Sequence, residues 1–201
     1  TTVLALEMLR EFQADAAEWH AYEKAYGDDP GTRTNLLASA SWNTQVVDLT
    51  QGEAALWRGV RKSSHSLIHR VENDFALSWD LVQGGYTRVC EKVCRPIHIE
   101  SAGRETRSIE TWEMMDQWIT AGYGLVAYVS RRYGLESTKP IGFAYFLIYN
   151  SWSYHGFAAS LEKNIHHALV WNGMLALKAR GVTRLEMGWI GQALDAKGKN
   201  I

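Results

Sequence analysis

The run IGFAYFLIY at positions 141–149 constrains this chain more than any other feature. It carries no charge and does not alternate apolar with polar residues, as a half-exposed strand would. Such a strand is buried on both faces and lies in the middle of a sheet. Helices must then cover both sides of that sheet, so the chain reads as a mixed α/β (α+β) fold. Around this centre, 125–130 reads as a second apolar strand, separated from the first by a charged turn at 131–139. A third strand at 153–159 is close enough to pair as a hairpin across Asn150-Ser151-Trp152. A helix at 165–180 ends at Gly181, a strand follows at 184–188, and another helix begins at Gln192.

The first half is less regular. Residues 4–26 form an amphipathic pattern with Leu4, Met8, Phe12, Ala16 and Trp19 on one side, broken by Gly27-Asp28-Asp29-Pro30-Gly31. A polar linker, a short strand at 45–49, one helix at 53–71, a strand at 75–79 and a helical stretch at 81–100 complete the expected order. The domain reading is an N-terminal helix and linker over 1–40 and one α/β domain over 41–201. The chain starts without Met and stops at Ile201 in mid-pattern, so it is expected to be a piece of a longer protein, truncated at its C-terminus.

A formal net charge of -1 provides no global attraction for nucleic acid, so any anion site must be local. Two cysteines are too few for a disulfide-stapled secreted domain. There is no apolar run of membrane-spanning length and no signal pattern, which makes the cytoplasm the default location. Nine tryptophans and nine tyrosines suggest aromatic-lined pockets as well as a core.

The most chemically loaded segment is AGRETRS at 102–108, running into Thr111-Trp112. Ser108 reads as an N-cap, with Glu110 and Glu113 in the first turn and Gly122 at the far end. Ile109, Trp112, Met115 and Ile119 recur at helical spacing and point one face at the core. Arg104 and Arg107 then stand beside free helix amides, the makings of a phosphate or carboxylate clamp. On the expected 53–71 helix, Arg58, Lys62, His65 and His69 follow a 4-3-4 spacing with Arg61 beside them and no acid interleaved. That stripe is either a solvated face or a surface that tracks phosphates, for tRNA or for a nucleotide or lipid diphosphate.

Cys90, Cys94 and His98 recur every four residues and diverge too far for a compact metal site, so core packing is expected and no metal. Tyr154-His155-Gly156 and His166-His167 bracket a strand-to-helix passage where a histidine can act as a base near neutral pH, although helix-face histidines are usually structural. Asp195, Lys197 and Lys199 read as a solvent-facing helix end. There is no Gly-rich phosphate loop, G-x-S-x-G elbow or H-E-x-x-H pair.

The order of several blocks resembles the FemAB-like branch of the GNAT acyltransferase superfamily, from about Gln45 to the end. The blocks are Val46-Val47-Asp48-Leu49, Leu56-Trp57-Arg58, Arg61-Lys62-Ser63, Ala102-Gly103-Arg104, Thr106-Arg107 and Thr111-Trp112. Gly142-Phe143-Ala144, Tyr154, Ala158-Ala159-Ser160, His167-Ala168-Leu169-Val170-Trp171, Gly188, Asp195, Lys197 and Ile201 follow. The resemblance implies a GNAT-like mixed, largely antiparallel sheet flanked by helices on both faces. It also implies an N-acyl or aminoacyl transferase that moves an amino acid or acyl group from an activated ester to an amine acceptor such as a cell-envelope precursor. The donor would be aminoacyl-tRNA or acyl-CoA, with no further cofactor, no membrane span, and charged tRNA and a small-molecule amine as partners.

On this resemblance Arg104 and Arg107 hold anions, Arg58 and Lys62 extend that surface, and Trp112 lies in the same substrate-binding set. Tyr154 hydrogen-bonds substrate, His155 or His167 deprotonates the amine, and Lys197 or Lys199 neutralises charge at the reacting end. Alternatives are an acetyl-CoA-dependent GNAT acetyltransferase, against which the glycine-free 160–164 loop counts, and a non-catalytic binding module. The chain departs from the family in placing His65 where an arginine is usual. The family's distal Phe-Lys element would fall beyond Ile201, and only one of two tandem units is expected.

Overall fold

A computed structural model describes residues 43–74, 76–133 and 137–190. In chain order these form β1 (Asn43–Asp48), α1 (Glu53–Gly59), α2 (Lys62–Asn73) and β2 (Leu77–Val82). A π-helical turn (Cys90–Cys94) runs into α3 (Arg95–Ala102), followed by α4 (Ile109–Thr120), β3 (Gly124–Tyr133) and β4 (Ser137–Tyr149). Then come β5 (Trp152–Ser160), α5 (His166–Ala179) and β6 (Arg184–Ile190). The described strands make one six-stranded sheet in the order β1-β6-β5-β4-β3-β2. Every neighbouring pair is antiparallel except β5–β6.

The apolar run lies inside β4, bonded to β3 on one side and β5 on the other. Its alternation exists but is hidden, because both faces are apolar. Ala144, Phe146 and Ile148 join Leu125, Ala127 and Val129 under α5, while Phe143, Tyr145 and Val126 face α3 and α4. Helix α5 comes close to β4 because residue 173 has no side chain: a Cβ there would lie 2.3 Å from Phe146 Cε2. The expected hairpin, the α5 helix and the central strand all hold; of the charged 131–139 segment, 131–133 and 137–139 are strand, and 134–136 lie outside the described residues.

Three expectations are corrected. The single helix over 53–71 is two helices, because Val60 (φ -69°, ψ 135°) and Arg61 (φ -55°, ψ 130°) are extended between them. A glycine followed by a β-branched residue is a weak place to continue a helix. The strand expected at 75–79 is β2, shifted to Leu77–Val82, and the helical stretch at 81–100 begins only near residue 89. Gly84 and Gly85 take φ of +72° and +69° between them, which breaks the helix reading. The π-helical turn precedes Pro96, which has no backbone donor for an α-type bond, and Asp116 caps the turn from α4. Asp116 Oδ1 accepts the Cys90 N–H at 2.8 Å and Oδ2 the Glu91 N–H at 3.0 Å.

On α4, Trp112, Met115 and Ile119 are buried as expected, but Ile109 is 39% exposed. Ser108 makes no side-chain bond to the helix backbone; its Oγ lies 3.5 Å from Thr111 Oγ1.

Candidate functional site

The parallel pair β5–β6 is bonded over three rungs only, Trp152–Arg184, Ser153–Leu185 and Tyr154–Glu186. Both strands continue past that point, β5 held by β4 and β6 held by β1. Their inner edges therefore part, and each turns backbone N–H and C=O groups toward the opening. Such groups need partners, and an extended amide-bearing ligand can supply them.

Local sequence accounts for the parting. Phe146 opposes His155 and Tyr145 opposes Phe157, so Gly156 is an extra residue in β5, and bulges bend and twist a strand. On β6, Gly188 takes φ +84°, open to glycine at little cost. Thr44 braces this strand, with Oγ1 2.8 Å from the Gly188 carbonyl and 3.0 Å from Glu186 Oε1. Tyr154 reaches across the same opening, and a Cβ on Gly188 would lie 3.6 Å from its Oη.

His155 sits at the bulge, its ring 5.3 Å from Phe146 and 5.4 Å from His166. Its Nε2 is buried with no hydrogen-bond partner among the described residues. Burial, with His166 as a second cause, pushes its pKa down to about 4, so the ring is neutral at pH 7. Burial and then His167 hold His166 below its ordinary value too. His166 and His167, both exposed, open α5, whose N-cap Ile165 has no capping side chain and whose first turn has no acid. First-turn amides are thus left for a ligand.

On the other face, the Arg107 guanidinium lies 4.5 Å from the Phe157 ring centroid and 5.8 Å from that of Trp112. Its Nη1 donates to His98 Nε2 at 2.8 Å. Arginine only donates, so His98 must accept through Nε2 and keep its single proton on Nδ1. Burial and then Arg107 hold the His98 pKa below its ordinary value, in agreement with a neutral ring. Arg107 is thereby held over an aromatic bed. Trp112, 1% exposed, supports it from beneath. Arg104 is exposed, and the neighbouring Glu105 is taken by Arg95 at 2.7 Å.

The remaining sequence candidates are scattered. Arg58 and Lys62 are exposed on either side of the break between α1 and α2. His65 stacks on Trp57 at 4.2 Å, and His69 bonds Glu72 at 3.0 Å, so the stripe's histidines are engaged and an acid does stand beside it. Cys90 and Cys94 are fully buried beneath α4. Lys197, Lys199 and Asp195 lie outside the described residues. Sequence reasoning did not foresee the parting of β5 and β6, although glycines within two strands signalled it. It also passed over Asp116, whose place in an apolar helix face was the available signal.

No family profile and no curated protein matches this sequence. Among solved structures, FemX superposes with a TM-score of 0.61 over 77% of this chain and 55% of its own, at 11% identity. L-PGS from Bacillus licheniformis matches with a TM-score of 0.50 over 74% of this chain and 45% of its own, at 16% identity. The fold is like that of FemX. The chain spans about half the length of these structures, and at such identities the likeness is one of fold. Within this fold, the strand opening, the histidines of β5 and α5, and the Arg107 bed all gather around β5.

Proposed function

We propose that this chain is an N-acyl or aminoacyl transferase, moving an amino acid or acyl group from charged tRNA or acyl-CoA to an amine such as a cell-envelope precursor. The parting of β5 and β6 beside a buried, neutral histidine carries this reading. Direct transfer needs the two substrates held end to end, with the amine uncharged and the carbonyl oxygen stabilised as it becomes an oxyanion. The open strand edges hold the donor's extended amide-containing part. First-turn amides of α5 face developing negative charge. His155, neutral beside the opening, is the base toward the amine once substrate opens access to its Nε2, and exposed His167 carries the released proton toward solvent. Tyr154 orients substrate at the mouth, while Arg107, with Arg104 nearby in the chain, takes an anionic group. Arg58 and Lys62, and beyond the described residues Lys197 and Lys199, add positive charge around the substrates.

No helix among the described residues is long and apolar enough to cross a membrane, and a cytoplasmic location belongs to this proposal. The test uses a pool of labelled aminoacyl-tRNAs, with labelled acetyl-CoA in parallel, and a mixture of small amines as acceptors. Label leaving tRNA for an RNase-resistant product is the expected result. Label moving only from acetyl-CoA marks an acetyltransferase, and no transfer from either donor favours a binding module.

A further inference from the structure

The extended backbone at Val60 and Arg61 lets α2 fold back on α1, so that Trp57 of α1 meets both His65 and His69 of α2. Glu53 and Trp57 are spaced i, i+4 on α1, and His69 and Glu72 i, i+3 on α2, so each pair shares a helix face. Together with Trp171 of α5 these faces frame a pocket of about 530 Å³, within the range of small-molecule sites. Its lining is Glu53, Ala54, Trp57, His69, Glu72 and Trp171.

The indole walls are held in place from outside the pocket. The Trp57 ring stacks on His65 at 4.2 Å and meets Trp171 edge to face at 4.8 Å. His65 Nε2 lies 3.2 Å from the Trp57 carbonyl, which only accepts, so His65 donates to the residue it stacks on. Trp171 itself is 6% exposed.

The charged part of the lining is acidic. Glu53 has no hydrogen bond or ion pair among the described residues, and Glu72 accepts from His69 Nδ1 at 3.0 Å through Oε2, which leaves Oε1. No lysine or arginine lines the pocket, so an anion there would face two carboxylates without a counter-charge. A metal ion is not suited either: the described residues hold no group of three ligating side chains, and indole supplies no ligand. Aromatic faces beside carboxylates attract an organic cation, because the ring quadrupole and the carboxylate charge act in the same direction. Trp171 also lines a groove of about 520 Å³, but there Asp48, Arg61, His166 and His167 are mixed with apolar walls and no single chemistry is selected.

We infer that the pocket between α1, α2 and α5 binds an organic ammonium ion, its charge held by Glu53 and Glu72 and its hydrocarbon part lying against Trp57 and Trp171. The site goes beyond the transferase reading and does not depend on it. A primary, lysine-type ammonium and a methylated, quaternary one share this chemistry. They differ in that only the primary ion donates hydrogen bonds to the carboxylates.

The full chain, labelled with fluorinated tryptophan, is titrated with butylammonium and with butyltrimethylammonium; pentanol and methyl glucoside serve as uncharged probes. Fluorine NMR resolves the tryptophans, and Trp57→Phe and Trp171→Phe assign the two resonances while keeping a ring at each position. The expected result is saturable movement of the Trp57 and Trp171 signals with the ammonium ions and none with the uncharged probes. Trp112 and Trp118, on the opposite face of the sheet, should not move. Tighter binding of the primary ion marks a lysine-type ligand, tighter binding of the quaternary ion a methylated one, and both support the site.

Glu53→Gln and Glu72→Gln keep the side-chain size and remove the charge. Each should weaken ammonium binding about threefold, and the two together about tenfold, at an unchanged melting temperature. Trp57 and Trp171 signals unmoved by either ammonium ion, equal movement with pentanol, or undiminished affinity in the double variant would overturn the site. Movement with methyl glucoside alone would make the pocket a sugar site and overturn the inference equally. Amide formation is read separately, so a failed cation site leaves the transferase reading standing, and a failed transfer assay leaves the cation site standing.

Discussion

The two faces of the sheet are built from different material. Under α3 and α4 the contacts are aromatic: Phe143, Tyr145, Trp112 and Phe157 pack edge to face or stacked, and Arg107 lies on top of them. Under α5 they are mostly aliphatic, with Phe146 pressed against Gly173 lower down and a groove left open above α5's middle turns. The aromatic face places a charged group rigidly, and the aliphatic face leaves room. A site that must grip an anion and also admit a substrate can use one property from each side, and β5 is where they meet.

Emptying the tightest point of the aliphatic face should show the largest effect. Phe146→Ala removes a fully buried ring and should cost about 3–5 kcal/mol in a urea melt. A loss under about 1 kcal/mol would mean that this face is not sealed beneath α5. On the aromatic side, the corresponding support is polar. Asp116→Ala strands the amides of Cys90 and Glu91 and should cost about 2–3 kcal/mol, with Asp116→Asn recovering part. If Asp116→Ala melts like the parent, the π-helical turn is held by apolar packing alone.

The buried histidine makes the aliphatic face sensitive to pH. His155 has a folded-state pKa of about 4 against its ordinary 6.5, so the unfolded chain binds more protons between those values. Stability from this group is complete above pH 6.5 and lost as pH falls toward 4, amounting to at most about 2 kcal/mol by pH 5. The depressed values of His166 and His98 act with the same sign. His155→Gln should flatten the slope of stability between pH 7 and 5; an unchanged slope would assign it to other groups. The smallest effect is expected from the charged bed. Arg107→Ala should lower kcat/KM several-fold with little change in melting, and an unaltered kcat/KM would remove Arg107 from the site.

Much of this architecture was legible in the residues. The uncharged run at 141–149 implies a doubly covered strand because no other element buries nine such residues in a row, and Gly181 marks the end of α5 because a helix closes readily in the left-handed region. The helical spacing of Trp112, Met115 and Ile119 identifies the buried side of α4. The candidate site was legible only in part. Tyr154, His155 and Arg107 stood out by type, yet nothing local says that Arg107 lies over Phe157, fifty positions away. The stripe from Arg58 to His69 assumed a continuous helix, and the extended backbone at Val60 and Arg61 divides it.

Periodicity and turn chemistry thus determine which segments become strands and helices here, because those preferences act over a few residues. The pairing of β5 with β6 for three rungs, the buried nitrogen of His155 and the volume of the groove depend on chain segments that meet only after folding. These features depend on what each side chain finds opposite it, and contacts across tens of residues leave no periodic trace in the chain.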